Sequence, residues 1–208
     1  MTTNTEVLMA LRDAEHTSVS AIKTYLRCPA QFAHRYVHRT EGSHRAVALV
    51  LGIAVHEALA AFHSHLAEGK GDPPVEVLLD VFSGCWRRML IGNLPVRCDD
   101  LGAEQDKGVA LLETFHREAP RPAQVLGVEI PFGLPLCDPD TGEVSDRLVV
   151  GALDAVVEDE QSRTVIIESK TAARSWPAVQ LVHDPQVTLY RMAARALGFA
   201  AEPALQFH

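Results

Sequence analysis

Hydrophobic periodicity changes once along the 208 residues of the chain, and that change sets what the chain can fold into. Up to about residue 120 apolar side chains recur at helical spacing, and beyond it they come in short β-branched runs, the habit of strands. Such a chain has to pack helices against a sheet. Thr17-Ser18-Val19-Ser20 offers capping hydroxyls to a helix carrying Ile22, Tyr25 and Leu26, which Cys28-Pro29 interrupts. Pro29 suits the first position of a further helical segment with Phe32, Ala33, Tyr36 and Val37. Residues 46–66 read as a longer helix, Val75, Leu78, Leu79, Phe82, Trp86 and Met89 as the stripe of another, and residues 104–116 as a third. In the second half strands are expected over 124–132, 148–157 and 164–168, with a turn at 138–142 and a hairpin closed by the polar residues 158–163. Pro185 opens a helix running to about Leu197, Gly198 caps it, and residues 204–208 begin a last strand. A single domain over 1–208 is expected, mainly helical over 16–120, with the sheet core over 121–208.

A composition of 47% hydrophobic and 22% charged residues can bury a core, which sets aside disordered and low-complexity readings. Four cysteines lie far apart without a C-x-x-C pair, so no zinc knuckle or dense disulfide framework is expected. There is no H-E-x-x-H, G-x-S-x-G, P-loop or G-x-G-x-x-G, and the common zincin, hydrolase, NTPase and dinucleotide signals are therefore missing. No membrane association is expected, and the start of the chain lacks the basic and apolar stretches of a signal peptide, so the expected location is the cytoplasm. The net charge of −8 at first argues against a nucleic-acid partner. It is unevenly spread, however: residues 16–45 hold five basic residues against one acid, which leaves a net −12 for the rest.

The chemistry gathers on the last hairpin. Gly151-Ala152-Leu153-Asp154 lies on one strand and Ile166-Ile167-Glu168-Ser169-Lys170 on the next, and side-chain alternation turns Glu168 and Lys170 to one face. Two carboxylates on neighbouring strands can share a hard cation, and an ammonium group beside them suits metal-assisted attack of water on a phosphodiester. Alone, an E-x-K tripeptide is most often an ordinary ion pair. Its company makes the difference: His56 on an otherwise apolar helix, and Gln186 and Tyr190 at i, i+4 on one helix face. His63, seven residues from His56, is expected to be solvated or to back the site rather than to ligate. His34, His38 and His44 stand among Arg35, Arg39 and Arg45, a surface suited to phosphates.

In this order the pieces resemble the PD-(D/E)XK nuclease superfamily, in its RecB-like branch with CRISPR-associated exonucleases. The motifs are Ser18-x-Ser20, Tyr25-x-x-Cys28-Pro29-x-x-Phe32, Gly52-x-x-x-His56, Glu129, Gly151-x-x-Asp154, Glu168-x-Lys170 and Gln186-x-x-x-Tyr190. The resemblance implies an α/β fold with a restriction-endonuclease-like core, a mixed central sheet flanked by helices and preceded by a helical region. It implies a metal-dependent DNA nuclease, an exonuclease acting on single strands or duplex ends and leaving 5′-phosphates. It sets this activity in repair, recombination, CRISPR or phage DNA processing, with a helicase or CRISPR-adaptation partner. The other reading is a non-catalytic nuclease-like subunit that binds DNA or a helicase. Asp154, Glu168 and Lys170 would be catalytic; Asp154, Glu168, His56 and the Ser169 backbone carbonyl would hold Mg²⁺ or Mn²⁺. Gln186, Tyr190, Arg35 and Arg39 would support or contact the substrate, and Glu129 would be structural or back the metal site. Many relatives carry a [4Fe–4S] cluster, for which Cys28 is the one matching ligand. The other three cysteines would have to come from a longer chain, so the sequence is expected to be a truncated or a cluster-free form.

Overall fold

The computed structural model describes residues 3–40, 42–92, 94–171 and 184–208. In chain order its elements begin with α1 (Asn4–Asp13), β1 (His16–Ser18), α2 (Val19–Arg27) and α3 (Pro29–Phe32), the last running into a π-helical turn (Ala33–Val37). Then come β2 (Arg45–Ala46), α4 (Val47–Ala67), α5 (Val75–Leu90), β3 (Val96–Arg97) and α6 (Leu101–Glu118). The last elements are β4 (Gln124–Cys137), β5 (Val144–Glu158), β6 (Thr164–Glu168), α7 (Pro185–Ala196) and β7 (Ala204–Phe207). The caps are those the sequence offers. Ser18 accepts the Ala21 N–H at the start of α2, Asp184 accepts the Gln186 N–H ahead of Pro185 in α7, and Gly198 takes a φ of 79° just past the end of α7.

Two expectations are corrected. The β4–β5 hairpin extends past residue 132 to Cys137 and starts its return at Val144, because Pro131 and Pro135 do not stop it. Among the described residues β4 pairs only with β5, so a proline nitrogen on its open edge removes no ladder bond. α1, β1, β2 and β3 are elements the periodicity did not announce. α1 is held by a capping box between Thr3 and Glu6, and the strands have only two or three residues, too few for a period.

The architecture is a mixed α/β one, with a central mixed sheet between helices. In the five-stranded sheet β5 carries β4 antiparallel along one edge. Its other edge is divided: β1 runs parallel to it over Leu148–Val150, and β6 antiparallel from Ala155 onward. Neither reaches residues 151–154, and the sheet splits there. β7 extends it beyond β6 in parallel.

One sheet face is covered by α2 and α7, where Val19, Phe132, Leu153, Ile166, Tyr190 and Ala193 pack together. On the other face Ala155, Val157, Val165 and Ile167 lie against Leu66 of α4. Behind α4 a helical core joins Ala54, Ala58 and Phe62 to Leu78, Phe82 and Trp86 of α5 and Leu112 of α6. Truncating any one of these buried aromatic rings to alanine would cost about 3–5 kcal/mol. α4 is long and apolar enough to cross a membrane by length and composition; here those apolar residues pack against α5, α6 and β4.

Candidate active site

Glu168 ends β6 one step beyond the last β5–β6 pair, Ala155 with Ile167, and leaves the ladder level with Asp154. The Ser169 N–H donates to Asp154 Oδ2 at 2.9 Å, fixing the two strands at the point where the sheet splits. His56 reaches the same carboxylate from α4, its Nδ1 lying 3.4 Å from Asp154 Oδ2. From the opposite face Gln186 Nε2 donates to Glu168 Oε1 at 2.7 Å and to the Tyr190 hydroxyl at 2.8 Å. Lys170 Nζ contacts the same Oε1, as the strand alternation requires. The Glu168 side chain is 2% exposed, and its second oxygen, Oε2, is buried with no hydrogen-bond partner among the described residues. The structure thus brings Asp154, Glu168, Lys170, His56, Ser169, Gln186 and Tyr190 together.

Crowding acids in a dry place has electrostatic consequences. Burial first, and the charge of Glu168 second, push the Asp154 carboxyl well above the usual carboxylate range, against the pull of the Ser169 N–H. Burial holds the His56 imidazole below its usual value, which keeps its ring neutral and able to ligate at pH 7. Glu129 sits on β4 between Val128, paired with Ala155, and Ile130, paired with Leu153, which places it level with Asp154. Its backbone takes a φ of 48°, a left-handed conformation that costs a non-glycine residue about 1–3 kcal/mol. Desolvation and the charge of Glu168 push its carboxyl up too.

These residues fit a divalent cation. A buried carboxylate oxygen without a partner, a second carboxylate beside it and a neutral imidazole form a hard to borderline donor set, the kind that takes Mg²⁺ or Mn²⁺. The set is not closed in advance: among the described residues no three His, Cys, Asp or Glu side chains already gather as a metal site. Glu168 Oε1 faces Lys170 and Gln186, and Asp154 Oδ2 faces the Ser169 N–H. Among the described residues the cysteines do not gather as an iron–sulfur cluster requires, with four thiolates together. Cys28 instead caps α3, its Sγ accepting the Gln31 N–H at 3.5 Å.

The motif glycines mark close approaches. A Cβ on Gly52 would stand 3.1 Å from Thr171 Oγ1, so the glycine lets α4 bring His56 against the end of β6. A Cβ on Gly151 would stand 2.6 Å from the Phe132 ring, which covers β5 three residues before Asp154. The expectation for His63 is corrected. It is buried at 3% exposure, donates from Nδ1 to the Leu59 carbonyl at 2.9 Å, and lies in an aromatic nest with Phe62 and Phe115, neither solvated nor at the site. Arg35 stacks its guanidinium over Tyr36 in the π-helical turn, and neither it nor Arg39 contacts the carboxylates.

Two residues at the site escaped the sequence reading. Lys23 Nζ lies 2.6 Å from Asp184 Oδ2 and 3.4 Å from Gln186 Oε1, so the amide oxygen of Gln186 faces the lysine and its nitrogen faces Glu168. Asp184 was legible as a cap before Pro185. Nothing local in α2 marks Lys23, whose partners lie 161 and 163 residues away. Compared with known families, residues 16–206 match the sequence model of the PD-(D/E)XK nuclease superfamily. No curated protein matches the chain.

Proposed function

The chain belongs to the PD-(D/E)XK nuclease superfamily, and from that premise we propose that it is a metal-dependent DNA exonuclease of the RecB-like branch, leaving 5′-phosphate and 3′-hydroxyl ends. The family implies a metal-dependent nuclease; its members typically use divalent metals such as Mg²⁺, and DNA is the substrate it suggests. The mixed sheet between helices is consistent with its restriction-endonuclease-like fold. The observation that carries the reading is the buried, unpartnered Glu168 Oε2 beside Asp154, with Lys170 on the other oxygen of the same carboxylate.

Asp154, Glu168, the Ser169 carbonyl and His56 would hold the cation. When bound, Mg²⁺ or Mn²⁺ supplies Lewis-acid stabilisation of phosphate charge and a more acidic water. Lys170 orients the attacking water and offsets negative charge on the phosphoryl oxygens as the bond from phosphorus to the 3′ oxygen breaks. Gln186 holds Glu168 in one rotamer and Tyr190 holds Gln186, which limits the reorganisation needed during reaction. Arg35 and Arg39 would contact phosphates further along the substrate. The biological setting that suits such an enzyme is repair or recombination, CRISPR adaptation or phage DNA processing, beside a helicase or adaptation partner.

The absence of a gathered ligand set among the described residues favours a second reading, a nuclease-like subunit that binds without cutting. Titration calorimetry separates the two. Heat of Mn²⁺ binding at or below millimolar metal, lost in Asp154→Asn, together with degradation of end-labelled DNA that EDTA stops, supports the enzyme. No Mn²⁺ binding at millimolar metal supports the subunit.

A further inference from the structure

We propose that a single strand of nucleic acid reaches Lys170 along the groove between α1, α2 and α7, with Arg12 and Arg27 as its phosphate contacts. The inference rests on the nuclease reading and adds the path and strandedness of its substrate. The groove has a volume of about 1100 Å³, just above the roughly 300–1,000 Å³ of small-molecule pockets. Val150, Gly151 and Ala152 of β5 line it; Val150 is buried and is the last residue paired with β1, and Gly151 and Ala152 follow where that edge of β5 is left open until β6 begins at Ala155. The split in the sheet thus produces both the carboxylate site and the channel leading to it.

The walls are cationic in a chain whose net charge is −8. Arg12, Lys23, Arg27 and Lys170 line the groove, and the one carboxylate in its described lining, Asp184, is 6% exposed and bound to Lys23. Lys23 and Lys170 are engaged by Asp184 and Glu168. Arg12 and Arg27 are exposed and form no ion pair among the described residues; Arg27 gives one hydrogen bond to the neutral Gln31 at 3.2 Å. Along α2 the side chains of Lys23 and Arg27 stand one turn apart, about 6 Å, and Lys23 is joined through Gln186 to Glu168. Arg27 therefore lies a further step out from the carboxylates along the same wall.

Strandedness follows from where the charge lies. The described cations Arg12, Lys23, Arg27 and Lys170 line one groove, and a single backbone can follow it. The second backbone of a duplex would have to lie against the remainder of the chain, which apart from Arg12, Lys23, Arg27 and Lys170 carries a net −12.

The test is fluorescence anisotropy of a fluorescein-labelled 20-mer of oligo-dT with the full chain in EDTA, over a range of salt, beside a labelled duplex of equal length. Arg12→Gln and Arg27→Gln are expected to weaken single-strand binding several-fold and each to flatten the slope of log K against log salt by about 0.7. Arg163→Gln, on the distant β5–β6 hairpin, serves as control and leaves the slope unchanged. Unchanged slopes in both groove variants overturn the inference, whether or not Arg35→Gln and Arg39→Gln weaken binding, and so does a duplex that binds as tightly as the single strand. Hydrolysis of bis(p-nitrophenyl) phosphate by the wild type with Mn²⁺ checks the nuclease reading separately. If that diester is not hydrolysed while the slopes shift, the enzyme reading fails and the path stands; if it is hydrolysed and the slopes do not move, the path alone fails.

Discussion

Gln186 holds one oxygen of Glu168, Nε2 to Oε1 at 2.7 Å, while the other oxygen of that carboxylate is buried without a partner among the described residues. Folding to bury a carboxylate oxygen and leave it unsatisfied costs free energy, about 1–3 kcal/mol for a polar group and more for a charged one. Such a cost is tolerated where something else binds, and sites of function are where it is found.

Glu168→Gln keeps the shape and removes the charge. The Gln186 contact can persist, and the pressure that Glu168 exerts on the Asp154 carboxyl disappears. The variant is expected to melt at or above the wild-type temperature in EDTA and to lose at least about 100-fold in cleavage. A chelator melt and a cleavage assay on the same preparation check this; near-normal cutting would remove Glu168 from the mechanism.

Lys23 acts at a distance from the chemistry, through Asp184 and Gln186. Lys23→Met leaves the buried Asp184 carboxylate without its cation, and a stability loss of about 1–3 kcal/mol is expected. It also removes the hydrogen bond that fixes the Gln186 amide oxygen, loosening the amide that donates to Glu168, which should lower kcat more than it changes KM. Lys23→Arg should restore most of both. A Lys23→Met enzyme with wild-type kcat would leave the lysine a purely structural role.

The pH dependence of stability has a source away from the site. His63 in its aromatic nest has a pKa near 4, against 6.5 for the free side chain, mainly because burial penalises the charged ring. Between those values the unfolded chain binds a proton that the folded one refuses, so stability falls as pH drops from about 6.5 to about 4 and His63 adds no further loss below that. The full effect is at most about 3 kcal/mol. Burial shifts His208 in the same direction, adding to the trend. Chemical denaturation at several pH values should show a shallower fall in His63→Gln than in the wild type; parallel curves would contradict the assignment.

How much of this was legible in the sequence depends on the range of the interaction. β5, β6 and α7 announced themselves through β-branched runs, a polar hairpin and a helix-opening Pro185, all local signals, and Asp154, Glu168, Lys170, Gln186 and Tyr190 came with them. β1 has three residues and earns its place only by pairing with β5 about 130 residues on, so no window of sequence reveals it. The split it creates with β6, and hence the groove, was hidden for the same reason. His63 misled because its spacing from His56 is that of two helix turns, yet α4 is covered on more than one side and the later turn lies in the core. Lys23 looked like any helix-surface lysine, since its role depends on Asp184.

The most direct test of the account is cleavage of end-labelled single-stranded DNA by Lys170→Ala beside the wild type, each with Mg²⁺ or Mn²⁺ and with EDTA. The account predicts metal-dependent products bearing 5′-phosphates from the wild type, none in EDTA, and a loss of at least about 100-fold in the variant with an unaltered melting curve. Cutting by Lys170→Ala at the wild-type rate, or cutting that survives EDTA, would contradict it.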